Sequence, residues 1–482
     1  MERTVVNDRL PETSAPPTAA LATDDTEVSL YEVRRKIYPR AVHGLFAAWR
    51  WGLVWFTQVV FYGLPWLTWN DRQAVLFDLG ARKFYIFGLV FWPQDFIYLT
   101  ALLIIAALAL FLFTAIGGRL WCGYACPQTV YTEMFMWVER RIEGDRAARM
   151  RLDRASMSAG KLSRKLAKHG VWIAIALWTG LTFVGYFTPI RELLREVATV
   201  SLGPWETFWI LFYGFATYGN AGWMREQVCK YMCPYARFQS AMFDKDTMIV
   251  TYDAHRGDPR GARAKKVDHK AKGLGDCVDC GMCVQVCPTG IDIRSGLQYE
   301  CIGCAACIDA CDQVMDRMGY PQGLIRYSTT NAIDNRWDRA QMIRRVLRPR
   351  VLVYVGILLA VTVAAGASLQ ARVPLKVDVL RDRTSLAREA EGGRIENVYR
   401  LQIMNTRETP HRFKVTVGGL PTLAVAGESE FEIPAATSKQ VPLRLQIDQG
   451  QAGPGSHKID LDVVDAEDPG VSVKERSVFL VR

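Results

Sequence analysis

Cys277-Val-Asp-Cys280-Gly-Met-Cys283-Val-Gln-Val-Cys287-Pro288 and, a short way on, Cys301-Ile-Gly-Cys304-Ala-Ala-Cys307-Ile-Asp-Ala-Cys311 each read C-x2-C-x2-C-x3-C. This is the bacterial ferredoxin run for 4Fe–4S clusters, in which three close cysteines serve one cubane and the fourth is carried to the other. The expected ligand sets are therefore Cys277, Cys280, Cys283 and Cys311 for one cluster, and Cys301, Cys304, Cys307 and Cys287 for the second. A pair of zinc knuckles is the competing reading, because C-x2-C pairs also bind zinc. Zinc sites use two separated pairs, however, and not two runs of four at this spacing. One departure stands out. Proline follows Cys287, but Asp312 follows Cys311. The proline stiffens a turn and is not a ligand, so cluster binding is expected to survive its loss.

Around this stretch the chain alternates between apolar blocks and basic polar segments. Residues 1–30 are polar and rich in Pro, Ala, Thr and Asp, as in a disordered tail, with no apolar core of a signal peptide. A basic patch (Arg34, Arg35, Lys36, Arg40) precedes an apolar stretch over 42–69, of which Trp51 to Trp69 is long enough to cross a bilayer. Arg50, its one formal charge, is read as snorkelling to the interface. Further spans are expected over 95–117, 170–190, 204–222 and 351–370. Residues 70–94 are mixed and aromatic, suited to the outer interface.

The loop 118–169 and the segment 223–349 are rich in Lys and Arg. The positive-inside rule then puts both, with the N-terminus, on the cytoplasmic side of a bacterial inner membrane. All twelve cysteines fall on that side, where thiols stay reduced. The net charge of +10 could suggest nucleic acid in a soluble protein. Here the basic residues crowd beside apolar segments, so the bilayer is the expected partner and nucleic acid is not.

The expected organisation is a disordered and basic tail (1–41), a four-span membrane domain (42–222), a cytoplasmic segment with the double ferredoxin run (223–349), a fifth span (350–370) and a periplasmic domain (371–482). In that last region about seven period-2 stretches, among them Arg412-Phe-Lys-Val-Thr-Val417 and Lys458-Ile-Asp-Leu-Asp-Val463, are separated by turn residues. They fit an immunoglobulin-like sandwich without a cysteine pair. His411 and His457 in it are read as surface residues. The fold class is thus an α-helical membrane protein of about five spans, with a ferredoxin-like two-cluster domain and a C-terminal all-β immunoglobulin-like sandwich.

A second cysteine set is duplicated. Cys122-Gly-Tyr-Ala-Cys126-Pro127 and Cys229-Lys-Tyr-Met-Cys233-Pro234 both read C-x-Y-x-C-P after a span. Proline suits the first turn of a following helix, so Cys126 and Cys233 are expected at helix N-termini, where the dipole favours thiolate. Three roles stay open for the four thiols: one metal held at the membrane face, redox-active dithiols, or structure. Soft thiolates select Cu(I), zinc or iron–sulfur. Met134, Met136, Met224, Met232 and Met242 are candidate soft ligands, with plain packing as the simpler account. No C-x2-C-H haem signature, Walker loop or serine triad is present.

With these motifs in order, the chain resembles the cytochrome c oxidase accessory protein family (FixG, or CcoG), and it does so over nearly its whole length. The resemblance implies a part in assembling a cbb3-type oxidase, with reduction of Cu(II) to Cu(I) for the oxidase's copper site. Under that reading Cys122, Cys126, Cys229 and Cys233 are the catalytic, copper-binding residues and copper is the substrate. A cytoplasmic donor supplies electrons, and copper chaperones or assembly factors are the partners. The alternatives are a general electron-transfer subunit serving a quinone or partner reductase, and a scaffold whose clusters are structural.

Overall fold

The fold is described from a computed structural model covering residues 36–381, 387–390 and 392–481. The tail expected over 1–30 lies outside the described residues. Beyond it, the cysteine-bearing loops lie at one end of the helices Pro93–Gly117 and Pro349–Gln370 and the C-terminal sandwich lies at the other.

Among the described residues, three helices are long and apolar enough to cross a membrane: Pro93–Gly117, Ala159–Val184 and Pro349–Gln370. In the first and third the apolar side chains face outward nearly all round, as lipid-facing helices require. The two run antiparallel. The Tyr98 hydroxyl donates to Ser368 O (3.1 Å) at one end, and Arg348 Nη2 donates to Ala115 O (2.7 Å) at the other.

The first and fourth expected spans are not among these three helices. The first helix is Leu45–Gly63, and it ends well before Trp69. Pro65 sits in a single 3-10 turn after it, and Thr68–Trp69 pairs with Arg72–Gln73 as a strand. The fourth is a regular helix only over Pro204–Thr217. It continues as a wider π-helical stretch, Tyr218–Met224, up to the second C-x-Y-x-C-P motif. The third expected span begins earlier, at Ala159, because the basic run Lys161–Lys168 is itself helical and is capped by Ser158 Oγ accepting from Lys161 N (3.2 Å).

Arg50 does not snorkel. It is only 6% exposed, and the Glu133 carboxylate supplies its neighbouring negative charge. Residues 75–91 form a three-stranded antiparallel sheet, Val75–Asp78, Lys83–Ile86 and Leu89–Phe91. The C-terminal domain docks there. Asp95 holds Arg372 (2.6 Å) and Lys376, while Glu408 accepts from Trp69 Nε1 (2.9 Å) and Asn70 Nδ2 (2.6 Å) and pairs with Arg72.

The C-terminal domain is a sandwich of two antiparallel sheets. One contains Leu375–Arg381, Arg394–Asn405 and Ser438–Ile447; the other contains Glu430–Ile433, His411–Gly418, Gly455–Asp465 and Ser472–Val481. Alternation along Ser438–Ile447 points Val441, Leu443, Leu445 and Ile447 into a core with Phe413, Phe431 and Phe479. Asn397 pins the sheets together: its Nδ2 donates to Leu480 O (2.8 Å) and its Oδ1 accepts from Leu480 N (3.0 Å). His411 is not a surface residue. It is buried, with Nδ1 2.9 Å from the fully buried Asp465 carboxylate, because it opens a strand whose odd positions face inward.

Candidate iron–sulfur centres and the four-thiol cradle

The ferredoxin runs fold as two short helices, Met282–Gln285 and Ala306–Met318, backed by an antiparallel pair, Ile249–Tyr252 with Ile325–Ser328. Each helix is entered through a left-handed residue, Gly281 (φ 62°) and Ala305 (φ 58°). That reversal turns the cysteines before and after it toward a common centre.

One cavity is lined by Cys277, Cys280, Cys283 and Cys311, together with Tyr252, Met315 and Leu324. A second is lined by Cys287, Cys301, Cys304 and Cys307, with Val250, Ile291 and Ile293 around them. Cys311 is carried back to the first group and Cys287 forward to the second, while Cys283 lines both cavities. Burial pushes the Cys283, Cys301 and Cys311 thiols up to about 12. An apolar shell with four convergent soft donors fits a cubane, whose binding displaces those protons. Asp312, in place of the usual proline, accepts from Gly323 N (2.8 Å) and so stiffens the same turn by a hydrogen bond.

The second cysteine set is brought together as well. Cys126 is the N-cap of the helix Pro127–Glu143, and Cys233 is the N-cap of Pro234–Met242. Cys122 lies in the short helix Leu120–Tyr124, and its thiol donates to Gln239 Oε1 (3.3 Å) on the second of those helices. Arg119 ties the two motifs together, donating to Ala236 O (2.5 Å) and Ser240 Oγ (2.8 Å) and also to Tyr299 O of the ferredoxin region. Cys122 and Cys229 pack in one cluster with Ile302 and Cys304.

The helix N-terminus does not make Cys126 acidic. Burial pushes Cys122 up to about 11 and Cys229 up to about 12, and the neighbouring thiols add to both shifts. Burial also raises Cys126, against the opposing backbone N–H groups of Gln128 and Thr129. Desolvation outweighs the dipole. Of the candidate methionines, Met136 shares a small cavity with Glu133 and Cys229, Met134 lines a separate cleft and Met232 is exposed.

Contact between the two sites is backbone against backbone. A Cβ on Gly123 would stand 2.8 Å from Gly303 O and 2.9 Å from Cys304 Cα. Gly123→Ala is therefore expected to push the membrane motif off the ferredoxin domain. The cost is about 1–3 kcal/mol, as for overpacking a close contact. Thermal unfolding followed by Trp fluorescence checks this, and an unchanged midpoint would refute it.

Sequence reading missed a buried ion network that fixes the helix Pro127–Glu143. Glu139 pairs with Arg149 (2.8 Å), Arg225 (3.1 Å) and Lys168 (3.6 Å), and Glu143 pairs with Lys165 (2.9 Å) and Lys168 (3.0 Å). Burial alone would raise the Glu139 carboxyl, but Arg225, Arg149 and Lys168 together hold it below the usual carboxylate range. Glu133, Glu139 and Glu143, at spacings of six and four residues along one helix, were the available signal.

Apolar membrane-length helices, two four-cysteine cavities and a ferredoxin-type connection between them define an iron–sulfur electron-transfer protein. Comparison with known proteins agrees. A 4Fe–4S dicluster domain model matches residues 224–330, a 4Fe–4S binding domain model matches 99–144, and the model for the IG-like fold at the C-terminal of FixG matches 365–482. Nitrogen fixation protein FixG of Rhizobium meliloti (strain 1021) is 40% identical, over 93% of this chain and 93% of its own. Proteins RdxA and RdxB of Cereibacter sphaeroides are 41% and 38% identical, covering 87% and 90% of this chain and 90% and 94% of theirs. The chain belongs to the FixG family.

Proposed function

We propose that this chain is a five-span protein of the bacterial inner membrane that reduces Cu(II) to Cu(I) at Cys122, Cys126, Cys229 and Cys233. The Cu(I) passes to a copper chaperone or assembly factor of a cbb3-type oxidase. In this reading the cysteine-bearing end faces the cytoplasm, where a donor supplies electrons, and the sandwich lies in the periplasm. The observation that carries it is that Cys122 and Cys229 pack in one cluster with Cys304, with Gly123 between them seated on the backbone of Cys304.

The two ferredoxin cavities fit one 4Fe–4S cluster each, on Cys277, Cys280, Cys283 and Cys311 and on Cys287, Cys301, Cys304 and Cys307. When bound, such clusters supply one-electron carriers whose potentials follow charge, hydrogen bonding and exposure. The chain's own residues do the rest. Ile302 and the helix Ala306–Met318 exclude water between the second cavity and the cradle. Four soft donors favour Cu(I) over Cu(II), so the cradle itself biases the one-electron reduction toward product. Burial keeps the empty thiols protonated, so copper binding releases protons and tightens as pH rises.

A second reading assigns the four thiols to a further iron–sulfur centre. It is favoured by the match of a 4Fe–4S binding domain to residues 99–144, a stretch whose only cysteines are Cys122 and Cys126.

One experiment separates the two. Chemically reduced, full-length protein is given Cu(II) in the presence of a Cu(I)-specific chelator. Cys126→Ala and Cys233→Ala are each expected to slow Cu(I) formation at least about tenfold, one ligand being worth about 1.4 kcal/mol or more, with the dicluster EPR signal unaltered. Loss of iron from these variants, starting from about twelve rather than about eight atoms per chain, would establish the second reading. Unchanged copper reduction with unchanged iron would overturn both.

A further inference from the structure

A cleft of about 1200 Å³ runs between the helices Leu45–Gly63, Pro127–Glu143 and Ala159–Val184. Its wall carries Trp51, Trp55, Trp66, Trp137 and Trp178. A volume above the usual small-ligand range, with an aromatic wall, suits a ring that carries a long apolar tail. It opens sideways: Trp55 and Val59 are 66% and 65% exposed on what the reading above takes as a lipid-facing helix, so the way in is from the bilayer.

One polar group in the cleft lacks a partner. Gln58 is 8% exposed, and its Oε1 accepts no hydrogen bond among the described residues. Beside it the Tyr62 hydroxyl is 2.8 Å from Thr179 Oγ1, and the Tyr131 hydroxyl interacts with both Tyr62 and Gln58. An orphaned buried acceptor carries an uncompensated desolvation cost. A lipid acyl chain in the cleft would leave it orphaned, whereas a bound O–H donor satisfies it.

The far end of the cleft reaches the ferredoxin domain. Gly44 and Ala47 line it, and Ala47 N donates to Asp309 Oδ2 (2.7 Å) on the helix that bears Cys307 and Cys311. Phe46 packs with the core around Cys277, Cys283 and Cys311.

We propose that this cleft binds an isoprenoid hydroquinone, its ring O–H donating to Gln58 Oε1 and its tail lying along the tryptophans. Only the direction of electron flow rests on the electron-transfer reading above; the binding does not. Oxidation breaks two O–H bonds and gives the quinone, two electrons and two protons. Clusters held in the two ferredoxin cavities would, when bound, accept these electrons one at a time. The protons leave to water at the mouth beside His43 and Asp145. The donor is then a membrane-soluble reductant and not a cytoplasmic protein.

The test uses full-length protein freed of endogenous quinone, in phosphatidylcholine nanodiscs. Decylubiquinol and a naphthoquinol of equal tail, the reduced forms of the two quinones, are titrated anaerobically in parallel, with Trp fluorescence quenching as the readout and visible iron–sulfur absorbance before titration as the folding control. At least one is expected to quench saturably. Gln58→Leu should weaken that binding about tenfold, and farnesol, a tail without the ring, should compete at least tenfold more weakly. Quenching that only tracks membrane partition for both quinols, or farnesol competing equally well, overturns the proposal and leaves a lipid groove. Should Gln58→Leu lose its absorbance, the farnesol competition on unaltered protein decides alone. Copper reduction by chemically reduced protein is indifferent to Gln58, so failure here is distinguishable from failure of the copper reading.

Discussion

Cys304→Ala is expected to cut bound iron from about eight to about four atoms per chain and to abolish copper reduction. Cys304 is buried and shares its cavity with Cys287, Cys301 and Cys307, the proposed ligands of one cluster. Its backbone also forms the seat on which Gly123 and the four-thiol cradle rest. Cys280→Ala is the informative comparison. Cys280 is exposed and belongs to the other cavity, so its loss should cost the same amount of iron without disturbing the cradle. Iron and sulfide analysis with EPR checks both. Full iron content in Cys304→Ala would remove the ligand assignment.

Glu139→Ala is expected to destabilise the chain by about 3–5 kcal/mol, the range for breaking a buried ion pair from one side. Arg149 and Lys168, both buried, and the largely buried Arg225 would be left facing one another without their shared carboxylate. The folded-state carboxyl is held below its usual range. The stability it contributes is therefore present above the unfolded value of about 4.3 and is lost as pH falls below that. The difference between Glu139→Ala and the unaltered protein should accordingly be largest at neutral pH and shrink in acid. Thermal unfolding at pH 7 and pH 4 measures this, and a pH-independent difference would count against the electrostatic account.

The cysteine spacing made the ferredoxin fold and its interleaved groups legible, because three donors on one short loop leave little geometric freedom. Strand alternation in the C-terminal region was equally legible, with each period-2 stretch placing one face in the core. Helix ends were less so. Hydropathy carried the first span to Trp69, but Gly63, Pro65 and the strand pairing of Thr68–Trp69 end it sooner. Arg50 and His411 were misjudged for one reason: an isolated polar residue reads as exposed until its distant partner, Glu133 or Asp465, is in view.

What the sequence determined by itself is local. Thiols at set spacings, apolar runs of membrane length and alternating strands follow from bond lengths and side-chain periodicity within a few residues. Tertiary structure alone decided that Cys122 and Cys126 meet Cys229 and Cys233 on the back of Cys304, that Glu139 gathers cations from three other parts of the chain, and that Gln58 is left with an unfilled acceptor in an aromatic cleft. Those contacts join residues far apart in sequence. They exist only because burying helix faces against one another removes water from between them, and no short-range pattern records which faces will meet.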